Sequence, residues 1–162
     1  MSIAYIGLGS NLNDKMGNLN KAVELIEKSS EVKVFKRSSV YQTEPVGIKN
    51  QPLFLNMVLE VDTEISPFEL LGFLQDIERK MGRKREKKWG PRNMDLDLLL
   101  YEDQVISSAE LTLPHTQMHL RKFVLVPLAE IAKDKIHPLM QRTILDLLED
   151  LKEDTKVELF RN

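Results

Sequence analysis

Lys88-Trp89-Gly90-Pro91-Arg92-Asn93-Met94-Asp95-Leu96-Asp97-Leu98-Leu99-Leu100 changes character halfway along. Its first half reads as a loop, because Gly90-Pro91 cannot continue a helix and sits poorly inside a strand. Its second half reads as a strand, because Leu96, Leu98 and Leu100 are apolar and the run is short. Side chains two apart on a strand share a face. Asp95 and Asp97 therefore project together, while Leu96 and Leu98 project into a core. Carboxylates roughly 7 Å apart at their Cα atoms repel each other unless a cation lies between them. A hard cation with oxygen ligands meets that need, Mg2+ shared with substrate phosphates being the usual case. A polar face on an edge strand is the plainer alternative. Arg83, Lys84, Arg85, Lys87, Lys88 and Arg92 crowd beside the two acids, with Trp89 among them. Basic groups next to a metal-binding pair suit a polyphosphate chain.

Working outward, the 162 residues, 42% of them hydrophobic, fit one domain spanning 1–162 with its own core. A formal net charge of −2 gives no general attraction to nucleic acid or an anionic membrane. Without cysteine there is no disulfide and no cysteine-ligated zinc. Met1-Ser2-Ile3-Ala4-Tyr5-Ile6 lacks the layout of a signal peptide, and no apolar run approaches transmembrane length. A cytoplasmic location is expected.

Ile3 to Leu8 reads as a buried first strand, and Gly7-Leu8-Gly9-Ser10-Asn11 is expected to turn the chain. Leu12 stands where a dinucleotide loop needs its third glycine, and no Gly-Lys-Ser/Thr follows, so neither nucleotide-loop motif is present. Asn13 or Asp14 can cap a helix carrying Leu19, Ala22, Val23, Leu25 and Ile26. Val32 to Tyr41 is expected as the second strand. Thr43 to Pro52, with Pro45, Gly47 and Pro52, is a long loop of the kind that carries function. In the third strand, Phe54 to Val61, Phe54 and Asn56 share one face and Leu55, Met57 and Leu59 the other. Phe54 beside Asn56 is either a packed ring next to a solvated amide or one wall of a pocket for a flat, hydrogen-bonding ring.

Ser66-Pro67-Phe68-Glu69 starts a helix with a cap, a proline at the first position and a glutamate at the third. Leu70, Leu71, Phe73, Leu74, Ile77 and Met81 form its stripe, and Gly82 ends it. Strand, helix, strand, strand, helix, strand is the ferredoxin-like order. It implies an α+β sandwich, an antiparallel sheet with helices packed on one face. Beyond it, a turn at Glu102-Asp103 leads to Val105-Ile106, and Leu111 to His115 is a short strand closed by Pro114. Val124 to Ile131 is a helical cover, Thr143 to Leu151 a final helix and Val157 to Phe160 a last strand. His115 and His119 sit four apart, but they lack the glutamate of a metalloprotease helix and Pro114 interrupts one. His115 fits a phosphate-handling or a surface role instead.

The run Lys88-Trp89-Gly90-Pro91-Arg92-x-x-Asp95-Leu96-Asp97-Leu98-Leu99 resembles the signature of the 6-hydroxymethyl-7,8-dihydropterin pyrophosphokinase family. The resemblance extends through Ala4-Tyr5-Ile6-x-x-Gly9-Ser10-Asn11-Leu12, Thr43-x-Pro45-x-Gly47, Gln51-Pro52-x-Phe54-x-Asn56, Leu111-Thr112-x-Pro114-His115 and Arg121-x-Phe123-Val124-Leu125-x-Pro127-Leu128. It implies a ferredoxin-like core and transfer of the β,γ-pyrophosphoryl group of ATP to the pterin hydroxymethyl, with release of AMP and two Mg2+ ions as cofactors. Asp95 and Asp97 would hold both ions, and Asp95 would also lie at the pterin. Arg83 and Arg92 would meet the phosphates, with Trp89 closing the loop over the nucleotide. Glu78, Arg85, Leu98, Thr112, His115 and Arg121 fall where the family handles nucleotide. Phe54 and Phe123 would sandwich the pterin, with Asn56, Thr43, Val46 and Gly47 reading its edge. Phe54 stands where a tyrosine is often found, Glu110 where a basic residue can touch nucleotide and Thr116 where an aromatic can. The partners implied are ATP and the pterin, for a monomer or weak homodimer. Transfer of this kind needs positioning and charge neutralisation more than a protein nucleophile. Two other classes compete: a nucleic-acid module using Arg83 to Lys88, marked by salt-dependent RNA binding, and a non-catalytic ligand-binding domain, marked by no AMP from ATP plus pterin.

Overall fold

The computed structural model describes residues 1–44, 53–82 and 94–161. In chain order the elements are β1 (Ser2–Ser10), α1 (Lys15–Glu27), β2 (Val32–Arg37), β3 (Tyr41–Thr43), β4 (Phe54–Thr63), α2 (Pro67–Lys80), β5 (Asp95–Tyr101), β6 (Ile106–Ser107), β7 (Thr112–Leu113), α3 (Lys122–Ala132), α4 (Ile144–Asp150) and β8 (Val157–Leu159). One 3-10 turn covers Met118–Leu120. The main sheet runs β5-β1-β4-β3-β8, with β2 also on β4, and every pairing is antiparallel. β6 and β7 form a separate ladder.

Helices cover both faces of this sheet, not the single face expected. Ala4, Ile6 and Leu8 of β1 and Leu55, Met57, Leu59 and Val61 of β4 pack with Leu19, Ala22 and Ile26 of α1 and with Leu70, Leu74 and Ile77 of α2. The alternate residues Tyr5 and Val58 pack with Val124, Leu125 and Leu128 of α3 and with Ile144 and Leu147 of α4. Each buried Leu or Ile contributes about 1.5–3 kcal/mol by leaving water. One reason the second cover is easily missed is Tyr5, a polar-tipped residue buried inside it. Its hydroxyl donates to Glu60 Oε1 at 2.8 Å. Burial and the Glu60 carboxylate push the phenol above the usual tyrosine range.

The strand expected over Val32 to Tyr41 divides into β2 and β3. At the break a side chain takes over the ladder: Val58 N–H donates to Ser38 Oγ at 2.9 Å, while Ser38 N–H donates to Val58 O. Glu130 of α3 then accepts from Ser39 N–H, the Ser39 hydroxyl and the Tyr41 hydroxyl. Burial, the Glu130 bond and its charge raise the Tyr41 phenol to about 12.

Helix starts follow the chemistry of their first turns. Ser66 Oγ accepts from Glu69 N–H and Glu69 reaches back to Ser66 N–H, a complete capping box with Pro67 inside it. Asp14, one of two expected candidates, accepts from Gly17 N–H to open α1. Thr143 caps α4 through Asp146 N–H. Gly82 lies just past α2 at φ 77°, where the absent Cβ removes the left-handed penalty. Among the described residues no helix is long and apolar enough to cross a membrane.

Candidate active site

Antiparallel pairing brings the end of β1, the end of β3 and the starts of β4 and β5 to one end of the sheet. Asp95 lies opposite Gly9 and Asp97 opposite Gly7. Leu96 and Leu98 point into the α1–α2 core, so the two carboxylates share the other face, as strand parity requires. Asp97 is exposed and Asp95 half-buried. The parity ends at Leu99. The register of β5 against β1 shifts between Tyr5 and Ile6, and Leu99 and Leu100 both join the α3–α4 core. Leu100 is therefore not on the face of Leu96 and Leu98, a β-bulge consequence.

Gly9 also pairs with Asn56, and there the chain needs a glycine for space. A Cβ at Gly9 would stand 2.6 Å from Asn56 Oδ1 and 3.8 Å from Phe54 Cδ1. The Asn56 amide, 7% exposed, lies across the gap and donates from Nδ2 to Thr43 Oγ1 at 2.7 Å. Phe54, Asn56, Thr43 and the bare Gly9 thus make a floor on one sheet face, with an aromatic ring beside an amide held by Thr43. Asp95 and Asp97 rise beside it. These glycines were expected to turn the chain, yet both lie inside β1. Two glycines spaced by one residue within an apolar strand signal close approach of another group.

A buried carboxylate fixes the acidic strand. Glu78 of α2 is 5% exposed, and its Oε2 accepts from Leu96 N–H at 2.8 Å. That bond lies between Asp95 and Asp97 in sequence and holds β5, a sheet edge, against α2. Leu98 turns its side chain into the core, so it can offer a ligand only its backbone.

Beyond the edge of β5, His115 N–H donates to Leu99 O at 2.9 Å. Its Nδ1 accepts from Gln117 N–H at 3.2 Å. The neutral ring therefore carries its proton on Nε2. Burial lowers the His115 pKa, the Asp97 charge opposes that and the Arg121 charge adds to it. His115 is thus an electrostatic neighbour of both Asp97 and Arg121. The Arg121 guanidinium lies 5.6 Å from the centre of the Phe123 ring, a cation–π contact. Phe123, at the start of α3, is on the same face as Asn56 and packs against the α3–α4 core. Thr112 is exposed in β7, as are Glu110 and Thr116 nearby in the chain. His119 faces His137 with ring centres 5.8 Å apart. Val46, Gly47, Arg83, Arg85, Trp89 and Arg92 lie outside the described residues.

A cleft of about 440 Å³ opens at the other end of the sheet, by Tyr5, Lys36, Glu60, Glu130 and the end of α3. Four of its polar groups bond within the protein: Glu60 with Tyr5, Glu130 with Ser39 and Tyr41, and Lys135 with Asp103.

Among the described residues no cluster of three or more His, Cys, Asp or Glu is placed to hold a metal. The Asp95–Asp97 pair instead fits a Mg2+ ion, which takes one or two carboxylates and fills its shell with water and substrate phosphate oxygens.

A family model described as 7,8-dihydro-6-hydroxymethylpterin-pyrophosphokinase matches residues 5–133. The chain is 49% identical over 132 residues to the 2-amino-4-hydroxy-6-hydroxymethyldihydropteridine pyrophosphokinase of Bacillus subtilis, covering 82% of this chain and 79% of that protein. It is 42% identical over 159 residues to the protein of the same name from Haemophilus influenzae, covering 98% and 99%. A solved Plasmodium falciparum HPPK-DHPS superposes with a TM-score of 0.75 over 91% of this chain, at 16% identity. This chain spans 43% of that longer one, and the likeness speaks for the fold alone.

Proposed function

The chain belongs to the 7,8-dihydro-6-hydroxymethylpterin-pyrophosphokinase family, and on that premise we propose that it moves the pyrophosphoryl group of ATP onto 6-hydroxymethyl-7,8-dihydropterin. The products are the pterin diphosphate and AMP, in folate biosynthesis. The observation that carries the reading is the pairing of the Asp95–Asp97 carboxylates with the floor made by Gly9, Phe54, Asn56 and Thr43.

The floor suits a flat bicyclic ring with donors and acceptors along its edge. Phe54 supplies one stacking face and Phe123 the other, each worth about 0.5–1.5 kcal/mol beyond area burial. Asn56 offers a donor and an acceptor from one amide held by Thr43. With the pterin edge on Asn56, the hydroxymethyl group is assigned to the side of the acids. Asp95 and Asp97 hold Mg2+, two ions by resemblance, together with the ATP phosphates. Bound there, the metal supplies charge neutralisation for the phosphates and acidifies the hydroxyl brought to it. The pterin hydroxyl oxygen attacks the β-phosphorus. The bond from that phosphorus to the α,β-bridging oxygen breaks, the electron pair leaves with AMP and the hydroxyl proton is lost. His115, with its proton on Nε2, and Arg121 donate to phosphate oxygens. Thr112 and the Leu98 backbone serve the nucleotide, while Glu78 holds β5, the strand of Leu98. Arg83, Arg85, Trp89 and Arg92 are assigned to the phosphates and nucleotide, and Val46 and Gly47 to the pterin edge.

We read the core as ferredoxin-like, with β2 and β3 sharing one strand position beside β4. The chain would work in the cytoplasm as a single domain, a monomer or weak homodimer. Incubation with ATP, Mg2+ and the hydroxymethylpterin tests the function: AMP should appear in step with pterin diphosphate. ADP in place of AMP, or no nucleotide consumption, would overturn it.

A further inference from the structure

The pterin walls assigned above are each braced by the end of the chain, beyond residue 133 where the family match stops. α3 begins at Lys122, and its capping residue Arg121 makes no side-chain cap bond. The first turn of any helix leaves N–H groups that need outside acceptors. Here Lys122 N–H donates to Glu153 Oε2 at 2.9 Å, across 31 positions of sequence. Phe123 is the next residue, with Arg121 against its ring. The same segment then becomes β8 and pairs with β3, Val157 opposite Thr43 and Leu159 opposite Tyr41. Lys156 N–H donates to Glu44 Oε1 at 2.8 Å, and Phe160 N–H donates to Val40 O.

One short stretch therefore grips both sides of the floor: Phe123 through the cap of α3, and Thr43, which holds Asn56, through the β8 ladder. We propose that residues 152–161 form a clasp that sets the spacing of the pterin pocket, with Glu153 as a positioning residue acting through Lys122 and Phe123. The proposal rests on the pterin reading of Phe123 and Asn56. Without the cap, the first turn of α3 must turn to water for its acceptor and the Phe123 ring loses its fixed height above the sheet.

Glu153→Ala, Glu153→Gln and Phe123→Ala of the full chain separate the possibilities. Each is titrated calorimetrically with the pterin, in the presence of Mg2+ and a non-hydrolysable ATP analogue, and with the analogue alone, beside a thermal melt. Glu153→Ala should weaken pterin about fivefold or more, with a smaller loss for the analogue and a raised KM for pterin at near-normal kcat. Glu153→Gln, whose amide oxygen still accepts an N–H, should return close to wild type. Wild-type pterin affinity in Glu153→Ala, while Phe123→Ala is weakened, overturns the clasp and spares the pterin reading. Parallel loss of both ligands and of melting temperature, unrescued by Glu153→Gln, also overturns it. Wild-type pterin affinity in Phe123→Ala removes the pterin reading and the clasp together.

Discussion

Replacing Gly9 with alanine adds a single methyl group at the centre of the proposed pterin floor. That methyl would stand 2.6 Å from Asn56 Oδ1, well inside ordinary contact. Backbone holds Gly9 on both sides, paired with Asn56 and with Asp95, so the side chain of Asn56 must give. Moving it strains or breaks the 2.7 Å bond from Nδ2 to Thr43 Oγ1. An amide 7% exposed then stands unpaired, at a cost of about 1–3 kcal/mol. Two readouts follow. Melting temperature should fall, by about 2–4 °C per kcal/mol for a domain of this size. Pterin affinity should fall by about 5- to 150-fold over the same energy range, because the ring loses its edge partner and meets a methyl where Gly9 has none. ATP-analogue affinity should hold, since Asp95 and Asp97 leave the sheet on another strand. In an Asn56→Ala background the added methyl has no amide to meet, so Gly9→Ala should cost little extra stability, a coupling that a double-mutant cycle measures. Unchanged pterin affinity and melting temperature in Gly9→Ala would refute the geometry of the floor.

Asn56→Leu, close in size but unable to pair, should weaken pterin by about 1–3 kcal/mol in calorimetric titration and leave the ATP analogue largely unaffected; equal losses would contradict the edge-reading role. Glu78→Ala leaves Leu96 N–H without its buried carboxylate, so the melt should drop by an amount worth about 1–3 kcal/mol and turnover should need more Mg2+. A wild-type Mg2+ requirement would detach Glu78 from the acidic strand. His137 is 2% exposed, and its Nδ1 accepts from Leu139 and Met140 N–H; burial and then His119 lower its pKa from 6.5. The unfolded chain therefore binds that proton more readily, so this contribution to stability is complete above pH 6.5 and is lost as pH falls through the lowered value. Melts at about pH 7.5 and about pH 5.5 should differ less in His137→Gln than in wild type, and an equal difference would exclude His137 as a source.

Local chemistry made some of this legible in sequence. Strand parity alone put Asp95 and Asp97 on one face and Leu96 and Leu98 on the other, because period two needs no partner to define it. The same rule separated Phe54 and Asn56 from Leu55, Met57 and Leu59. Ser66-Pro67-Phe68-Glu69 specified its own capping box, since every atom involved lies within one turn. What required a partner was not legible. The bulge at Leu99 exists only relative to β1, so it displaced Leu100 without a trace in the apolar pattern. Ser38 divides β2 from β3 by bonding Val58, 20 positions away. Nothing local in the sequence marks Glu130 or Glu153, and only the family resemblance singled out Glu78, for the nucleotide; folding brings Ser39, Lys122 and Leu96 to these three acids. The later helices were expected, but their place on the second face was not, for a related reason: the strand face they cover carries Tyr5, Gly7, Gly9, Asn56 and Glu60, which do not spell an apolar stripe.

Two carboxylates stand at the centre of the proposed chemistry, and single-turnover transfer in Asp95→Ala and Asp97→Ala at saturating Mg2+ tests them most directly. Each substitution removes a carboxylate proposed to hold the metal; at the exposed Asp97 it also relieves like-charge repulsion in the free protein, so the Asp97→Ala melt should be unchanged or slightly higher. Transfer from ATP to the pterin should fall to less than about a tenth of wild type, a barrier rise above about 1.4 kcal/mol. Either variant retaining more than about a tenth of the wild-type rate, with its fold intact, would contradict the assignment of Asp95 and Asp97 as the metal-holding centre of the reaction.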